Sequence, residues 1–117
     1  MAQVGDPSTR LERTIERLNA YHDAGADSLF APGVSDRETI AALAREVRGP
    51  LNILATPGVP SIAELHALGV ARVSIGSGAS RAALGLVRRI ASELREGSYA
   101  SMFADQIPYA KVNRMLE

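Results

Sequence analysis

The sequence contains no cysteine, which excludes disulfides, thiolate nucleophiles and cysteine-ligated metals. It also has no excess of either charge, because 13 basic residues balance 13 acidic ones. Nothing therefore favours binding to nucleic acid or to an anionic membrane, since both need a positive surface. No apolar run reaches the ~18 residues of a membrane-spanning helix, and the opening MAQVGDPSTR lacks the apolar core of a signal peptide. We therefore expect a cytoplasmic protein.

The composition is that of a packed globular domain. Hydrophobic residues make up 46% of the 117-residue chain and charged residues 22%, so a core can form and disorder is not expected. A chain of this length normally forms one domain.

Short apolar runs alternate with segments of helical spacing. The runs predict strands at 28–31, 51–55 and 72–75. Apolar residues of the first two helical segments recur at Leu11, Ile15 and Leu18, and at Ile40, Leu43 and Val47. Strands that alternate with helices predict a parallel sheet with right-handed crossovers.

Helix starts are marked by residues suited to capping. A serine or threonine followed three residues later by glutamate predicts a capping box, and this pattern occurs at Thr9/Glu12, Ser35/Glu38 and Ser61/Glu64. Asp6 followed by Pro7 offers an N-cap with proline at the first helical position.

Glycines are predicted to end the helices, at Gly25, Gly49, Gly69 and Gly97. A last helical segment is predicted through Phe103, Ile107, Val112 and Leu116, with Pro108 starting or kinking its second part.

The three strands end in related turns, namely APGVS at 31–35, TPGVPS at 56–61 and GSGAS at 76–80. In a parallel sheet these turns share the C-terminal edge, where such folds bind ligands. The turns contain no carboxylate, histidine, lysine or tyrosine. Acid–base catalysis needs a titratable group, and magnesium normally needs carboxylates. We therefore predict an edge that can bind but cannot catalyse alone, with no catalytic and no metal-ligating residue in the chain.

The binding candidates are Thr56, Gly76, Ser77 and Gly78. The Gly-Ser-Gly turn precedes a helix whose first N–H groups suit phosphate or carboxylate; alternatively, its glycines serve only a tight strand-to-helix turn. Thr56 either donates its hydroxyl to a ligand or bonds its own backbone before Pro57. His22 is predicted to pack or to compensate the helix dipole rather than to bind a ligand.

The segments TIERLNAYHDAGADSLFAPGV and GPLNILATPGVPSIAELHALGVARVSIGSGASRAAL resemble the C-terminal part of the isocitrate lyase and phosphoenolpyruvate mutase family, in its phosphonomutase-like branch. The resemblance implies an α/β fold that is part of a (β/α)₈ TIM barrel, with about three parallel strands. It also implies Mg²⁺-dependent making or breaking of a C–C or P–C bond in a 2-oxo acid. Residues 1–97 would be βα units of the barrel, and 98–117 a C-terminal helical segment that packs on a partner subunit through Phe103, Ile107 and Met115.

The departures from the family pattern concern the chemistry. The family's magnesium-binding aspartates, its gating loop and a substrate-binding arginine all precede the matching segment. Pro32 and Gly33 stand where the mutase branch has a polar pair, and Leu54 stands where lyases have asparagine, whereas Thr56 is retained. The resemblance therefore implies Mg²⁺ for the full-length family but no cofactor in this chain, which is expected to be inactive alone.

Three strands cannot close a barrel, which needs about eight. We therefore expect either a homo-oligomer or pairing with a separate N-terminal half-barrel, with a small carboxylate or phosphonate substrate bound only in the complete barrel. The alternative is a non-catalytic α/β assembly or phosphate-binding module that uses the turn at Gly76–Gly78.

Overall fold

The computed structural model describes residues 7–116, with the side chains from Ser8 onward. A short 3₁₀ helix at Pro7–Thr9 leads into a chain of alternating helices and strands. In chain order the elements are α1 (Arg10–Asp23), β1 (Leu29–Ala31), α2 (Arg37–Glu46), β2 (Leu51–Leu54), α3 (Ile62–Ala67), β3 (Arg72–Ser74), α4 (Gly78–Arg95), α5 (Ala100–Ala104) and α6 (Tyr109–Met115). No helix within these described residues is long and apolar enough to cross a membrane.

The strands form one parallel sheet in the order β1-β2-β3, as the alternation of elements predicts. Leu29 pairs with Leu51, and Ile53 pairs with Val73. Because all three strands run the same way, their C-terminal ends share one edge of the sheet. The predicted strands at 28–31, 51–55 and 72–75 are each confirmed to within one residue.

One face of the sheet carries the core. Leu29, Ala31, Leu51 and Ile53 are buried together with residues of the preceding and following helices, among them Leu18, Ile40, Leu43 and Leu65. Alternate strand residues point to opposite faces, so the other face carries Phe30, Asn52, Leu54, Arg72 and Ser74. We call these five residues the inner face. It differs sharply from the core face, because Phe30 is 45% exposed while its neighbour Leu29 is 1% exposed.

Two of the predicted helix starts are wrong in detail. Thr9 occupies the N-cap of α1 but its side chain makes no capping hydrogen bond, and Asp6 lies outside the described residues. The cap of α2 is Asp36 rather than Ser35, since the Asp36 carboxylate accepts a hydrogen bond from the Thr39 N–H at 2.8 Å. Aspartate is as good an N-cap as serine, so the adjacent residue with the right backbone geometry takes the position.

The remaining helix boundaries largely follow the sequence. The box of Ser61 and Glu64 is confirmed, with both reciprocal hydrogen bonds present. Gly25 and Gly69 follow the ends of α1 and α3 with positive φ. Pro108 is the N-cap of α6, so it starts the second part of the C-terminal segment.

Gly49 has a different role from the predicted one. It does not adopt a positive φ, and α2 already ends at Glu46. A Cβ at position 49 would lie 2.9 Å from His22 Nδ1 and 3.2 Å from Leu29 Cδ1. Glycine is needed here because helix α1 and strand β1 approach the backbone closely.

The chain divides into two compact units, Met1–Gly76 and Ser77–Glu117. The first holds the sheet and α1–α3. In the second, Glu93 of α4 accepts hydrogen bonds from the backbone N–H of Ser101, at 2.9 Å, and from the Ser101 hydroxyl. These bonds lower the pKa of Glu93. The sequence predicts a different division, between the βα units of residues 1–97 and the C-terminal helical segment of residues 98–117. That division stays a prediction.

Candidate functional site

The turns after β1 and β2 are held side by side at the C-terminal edge of the sheet. A Cβ on Gly58 would lie 3.9 Å from the Cβ of Ser35, so the two turns are close neighbours. Val34 and Val59, one in each turn, pack against the core. The repeated glycine-valine pair therefore anchors each turn, because the glycine permits the reversal and the valine buries its side chain.

The helix starts of α2 and α3 at this edge are capped by side chains of this chain. Asp36 caps α2, and Ser61 with Glu64 caps α3. Arg37 of α2 links the two starts through an ion pair with Glu64 at 3.2 Å. The hydrogen bonds from Thr39 lower the pKa of Asp36, and those from Ser61 lower the pKa of Glu64. Neither start is left with its capping donors open to a ligand.

The start of α4 differs. Ser77 occupies the N-cap but makes no side-chain capping hydrogen bond, and the first turn of α4 contains no acidic residue. The Ser77 carbonyl accepts the N–H of Arg81 at 2.9 Å, which begins the helix. A Cβ on Gly78 would meet nothing within 4 Å. The N-terminus of this 18-residue helix is therefore uncapped by side chains and sterically open at Gly78.

Gly76 ends the first unit, directly before this helix. Its φ of +52° is a left-handed conformation that glycine adopts at little cost. A Cβ here would lie 3.2 Å from Leu54 Cδ1, so the Leu54 side chain also limits the space. The Gly-Ser-Gly turn has two predicted roles, and the structure shows the tight-turn role at Gly76. A ligand role for Gly76, Ser77 and Gly78 stays a prediction.

Thr56 follows β2 and is exposed. Leu54 pairs with Ser74, so Thr56 and Gly76 each lie two residues beyond a paired position at the same sheet edge. The Thr56 carbonyl accepts the N–H of Val59 at 3.1 Å, whereas its hydroxyl makes no hydrogen bond within residues 7–116. The alternative in which the hydroxyl bonds its own backbone is therefore not the arrangement in the structure, and the hydroxyl is available as a donor.

The described residues do not fit a magnesium site. Within residues 7–116 no three histidine, aspartate or glutamate side chains lie together in a way that could hold a metal ion. The turn residues offer hydroxyls and backbone groups, while magnesium is usually held through carboxylates. Ligands for Mg²⁺ would have to come from outside the described residues.

The other edge of the sheet holds polar contacts that fasten α1 to the end of α2. The Asn19 side chain accepts the N–H of Arg48 at 2.9 Å and donates to the Glu46 carbonyl at 3.2 Å. Arg48 also pairs with Asp23 at 2.6 Å. His22 lies in the last turn of α1 against Gly49, and its buried Nδ1 has no hydrogen-bond partner among residues 7–116. His22 therefore packs, as predicted, at the edge opposite the turns.

Sequence reasoning missed a polar pair on the inner face. Asn52 lies in the middle of β2 and is only 4% exposed. Its Nδ2 lies 2.9 Å from the Ser74 hydroxyl of β3, which in turn lies 3.1 Å from Asn52 Oδ1. The signal in the sequence is an asparagine inside an apolar strand and a serine two residues after Arg72 in the next strand. Such a polar residue on a strand predicts a partner across the sheet.

Comparison with known proteins defines the class of the fold. A crystal structure of a protein assigned as a lyase/mutase from Burkholderia cenocepacia J2315 superposes with a TM-score of 0.83 and 46% identity, over 91% of this chain and 39% of that one. The phosphoenolpyruvate phosphomutase of Streptomyces platensis subsp. rosaceus has the same fold, with a TM-score of 0.69 at 23% identity, over 87% of this chain and 37% of that one. The chain is part of a TIM-barrel fold of the lyase/mutase type.

The sequence comparisons give the family. A profile described as phosphoenolpyruvate phosphomutase matches residues 2–95, and the chain belongs to that family. An uncharacterized protein of Mycobacterium tuberculosis is 39% identical over 103 residues, which are 88% of this chain and 38% of that protein. Oxaloacetate decarboxylase 2 of Pseudomonas putida is 32% identical over 98 residues, which are 84% of this chain and 32% of that enzyme. The chain thus spans about a third of the length of these relatives, as the predicted partial match requires.

Proposed function

We propose that this chain supplies three βα units of a barrel enzyme that makes or breaks a C–C or P–C bond in a 2-oxo acid. The family match and the oxaloacetate decarboxylases among the relatives support this reaction class. Mg²⁺ would be held by a polypeptide portion outside residues 7–116, since these residues lack a cluster of ligands. A cytoplasmic location stays a prediction.

The observation that carries the proposal is that each of the two units offers free donors. In the first unit the exposed Thr56 hydroxyl has no hydrogen-bond partner among residues 7–116. In the second unit α4 begins without a side-chain cap, unlike α2 and α3. Free N–H groups at a helix start suit phosphonate or carboxylate, because the helix dipole favours negative charge there.

These groups bind and orient; they do not transfer protons. The hydroxyl and backbone N–H groups do not titrate near neutral pH. Their role in the proposed enzyme is to hold the carboxylate or phosphonate of the substrate in place. The metal and the proton carrier must come from the remainder of the barrel, so the chain alone is expected to be inactive.

A second candidate function is a non-catalytic phosphate-binding module. It rests on the same uncapped start of α4 and requires no further polypeptide. The two functions differ in one measurable respect, because the module would bind inorganic phosphate alone, whereas the barrel enzyme requires a partner for turnover.

Reconstitution tests the proposal. The 117-residue chain is co-expressed with the portion of the Burkholderia lyase/mutase that it does not match, and oxaloacetate and phosphoenolpyruvate are assayed as substrates with Mg²⁺. We expect turnover only with both polypeptides. Thr56→Val should lower kcat/KM by about tenfold or more, as for a lost hydrogen bond to a charged group, and Thr56→Ser should restore it. A reconstituted complex that turns over neither substrate, or that is indifferent to Thr56→Val, would contradict the proposal.

A further inference from the structure

The inner face of the sheet has the composition of a contact surface with one charged position. Phe30, Asn52 and Arg72 form a row across the three strands, since Phe30 pairs with Asn52 and Asn52 with Arg72. Next to this row lie half-buried Leu54 and Ser74. Asn52 and Ser74 bond to each other, which leaves Arg72 as the one charged group of the face.

Arg72 is exposed, and its guanidinium makes no ion pair or side-chain hydrogen bond within residues 7–116. Three other arginines of the first unit, near the two edges of the sheet, each form an ion pair with a carboxylate. They are Arg37, Arg45 and Arg48. Arg72 is the first residue of the edge strand β3. If another polypeptide covers this end of the face, burial of the cation is costly unless a carboxylate pairs with it.

We expect another polypeptide segment to pack on the inner face of the sheet. Parallel sheets are normally buried on both faces, and helices α1–α3 contribute to the core on one face only. Phe30, on the edge strand β1, remains 45% exposed on this face. The question is which polypeptide covers it.

The charge of the inner face distinguishes between two covers, a second copy of this chain and a different polypeptide segment. None of the five inner-face residues is acidic, so two copies that met through this face would bring two Arg72 side chains together without a carboxylate from either face. Like charges in an interface are repulsive and disfavour the wrong partner. A segment that presents apolar side chains around a carboxylate fits the face, and the relatives contain more than twice the chain matched here.

We propose that the inner face docks the portion of a family polypeptide that this chain does not match, and that a carboxylate of that portion pairs with Arg72. This inference rests on the proposed function and names the recognition element of the partner. Phe30 and Leu54 provide the apolar contact, while Arg72 selects a partner with an acidic group and rejects a second copy of the chain.

The test is the affinity between this chain and the unmatched portion of the Burkholderia protein, measured by sedimentation after co-expression. Arg72→Glu should weaken the complex by about tenfold or more, and Arg72→Gln should have a smaller effect, because close charge pairs at interfaces contribute strongly to binding. Arg17→Glu is the matched control, since Arg17 is exposed on α1 and carries the same change of charge; it should leave the affinity within about twofold. Circular dichroism of each variant alone establishes that it is folded.

The outcomes separate the inference from the proposed function. A complex that forms and turns over substrate, yet binds Arg72→Glu as tightly as the native chain, overturns the inference and leaves the proposed function standing. Failure of the native chain to form any complex overturns both. Self-association of the 117-residue chain that is lost on Phe30→Asp would show that a second copy covers the inner face and would also overturn the inference.

Discussion

Asn52 of β2 and Ser74 of β3 hold each other across the sheet, with Asn52 Nδ2 2.9 Å from Ser74 Oγ. The pair is mutually dependent because Asn52 is buried and a buried amide without a partner costs free energy. It also joins the two strands whose C-terminal ends carry Thr56 and Gly76.

The pair predicts a strong coupling between two substitutions. Ser74→Ala should lower the free energy of unfolding by about 1–3 kcal/mol, because it leaves the Asn52 amide without its partner. The double variant Asn52→Leu/Ser74→Ala should cost less than Ser74→Ala alone, since both polar groups are then replaced by apolar ones. Urea unfolding of the four members of the cycle measures this coupling. Additive effects would show that the two side chains act independently.

The close approach at Gly49 predicts a steric effect. Gly49→Ala places a Cβ 2.9 Å from His22 Nδ1 and should destabilise the chain by about 1–3 kcal/mol, as overpacking does. The cost should be smaller in a His22→Ala background. Gly85→Ala is the control, because a Cβ there meets nothing within 4 Å and the helix interior of α4 favours alanine by about 0.5–1 kcal/mol. Equal effects at the two glycines would contradict the packing role of Gly49.

The cap at Asp36 predicts a pH dependence. Hydrogen bonds from Thr39 lower the Asp36 pKa from its ordinary value of 3.8, so folding favours the carboxylate. The stabilisation is fully present above pH 3.8 and is lost as the pH falls through the lower pKa of the folded state. Asp36→Asn retains a capping oxygen but does not titrate there.

The measurement is the free energy of unfolding of the native chain and of Asp36→Asn at about pH 6 and about pH 3. The native chain should lose more stability than the variant between the two values. This difference isolates Asp36 from Glu64 and Glu93, whose pKa values are also lowered. Ser35→Ala should leave stability nearly unchanged, and a large loss there would restore the capping role that the sequence predicts for Ser35.

The sheet could be predicted because its signals are local. The runs around Leu29, Ile53 and Val73 are apolar, short and bounded by turns, and a glycine turn follows each strand. Burial of alternate residues against the helices then fixes the core face. The family resemblance drawn from the same segments is confirmed by the profile match to residues 2–95.

The details that could not be predicted depend on tertiary geometry. Ser35 and Asp36 are both good caps, and only the backbone decides that Asp36 takes the position. The sequence predicts that Gly49 ends a helix, and only its close approach to His22 in the structure shows that it has a packing role. The partner of Asn52 lies 22 residues away, so its identity depends on the register of β2 and β3. The sequence also left two roles open for the Thr56 hydroxyl, a bond to a ligand or a bond to its own backbone. Only the structure shows that it makes no hydrogen bond within residues 7–116.

Calorimetric titration of the purified 117-residue chain with Mg²⁺ and oxalate tests the central claim most directly, because oxalate is a small dicarboxylate of the proposed substrate type. If the chain supplies strands and anion-binding turns but no cation ligands, Mg²⁺ alone should give no saturable heat, and Mg²⁺ with oxalate should give no heat beyond that of Mg²⁺–oxalate association measured without the chain. Saturable Mg²⁺-dependent binding of oxalate by this chain alone would contradict the account.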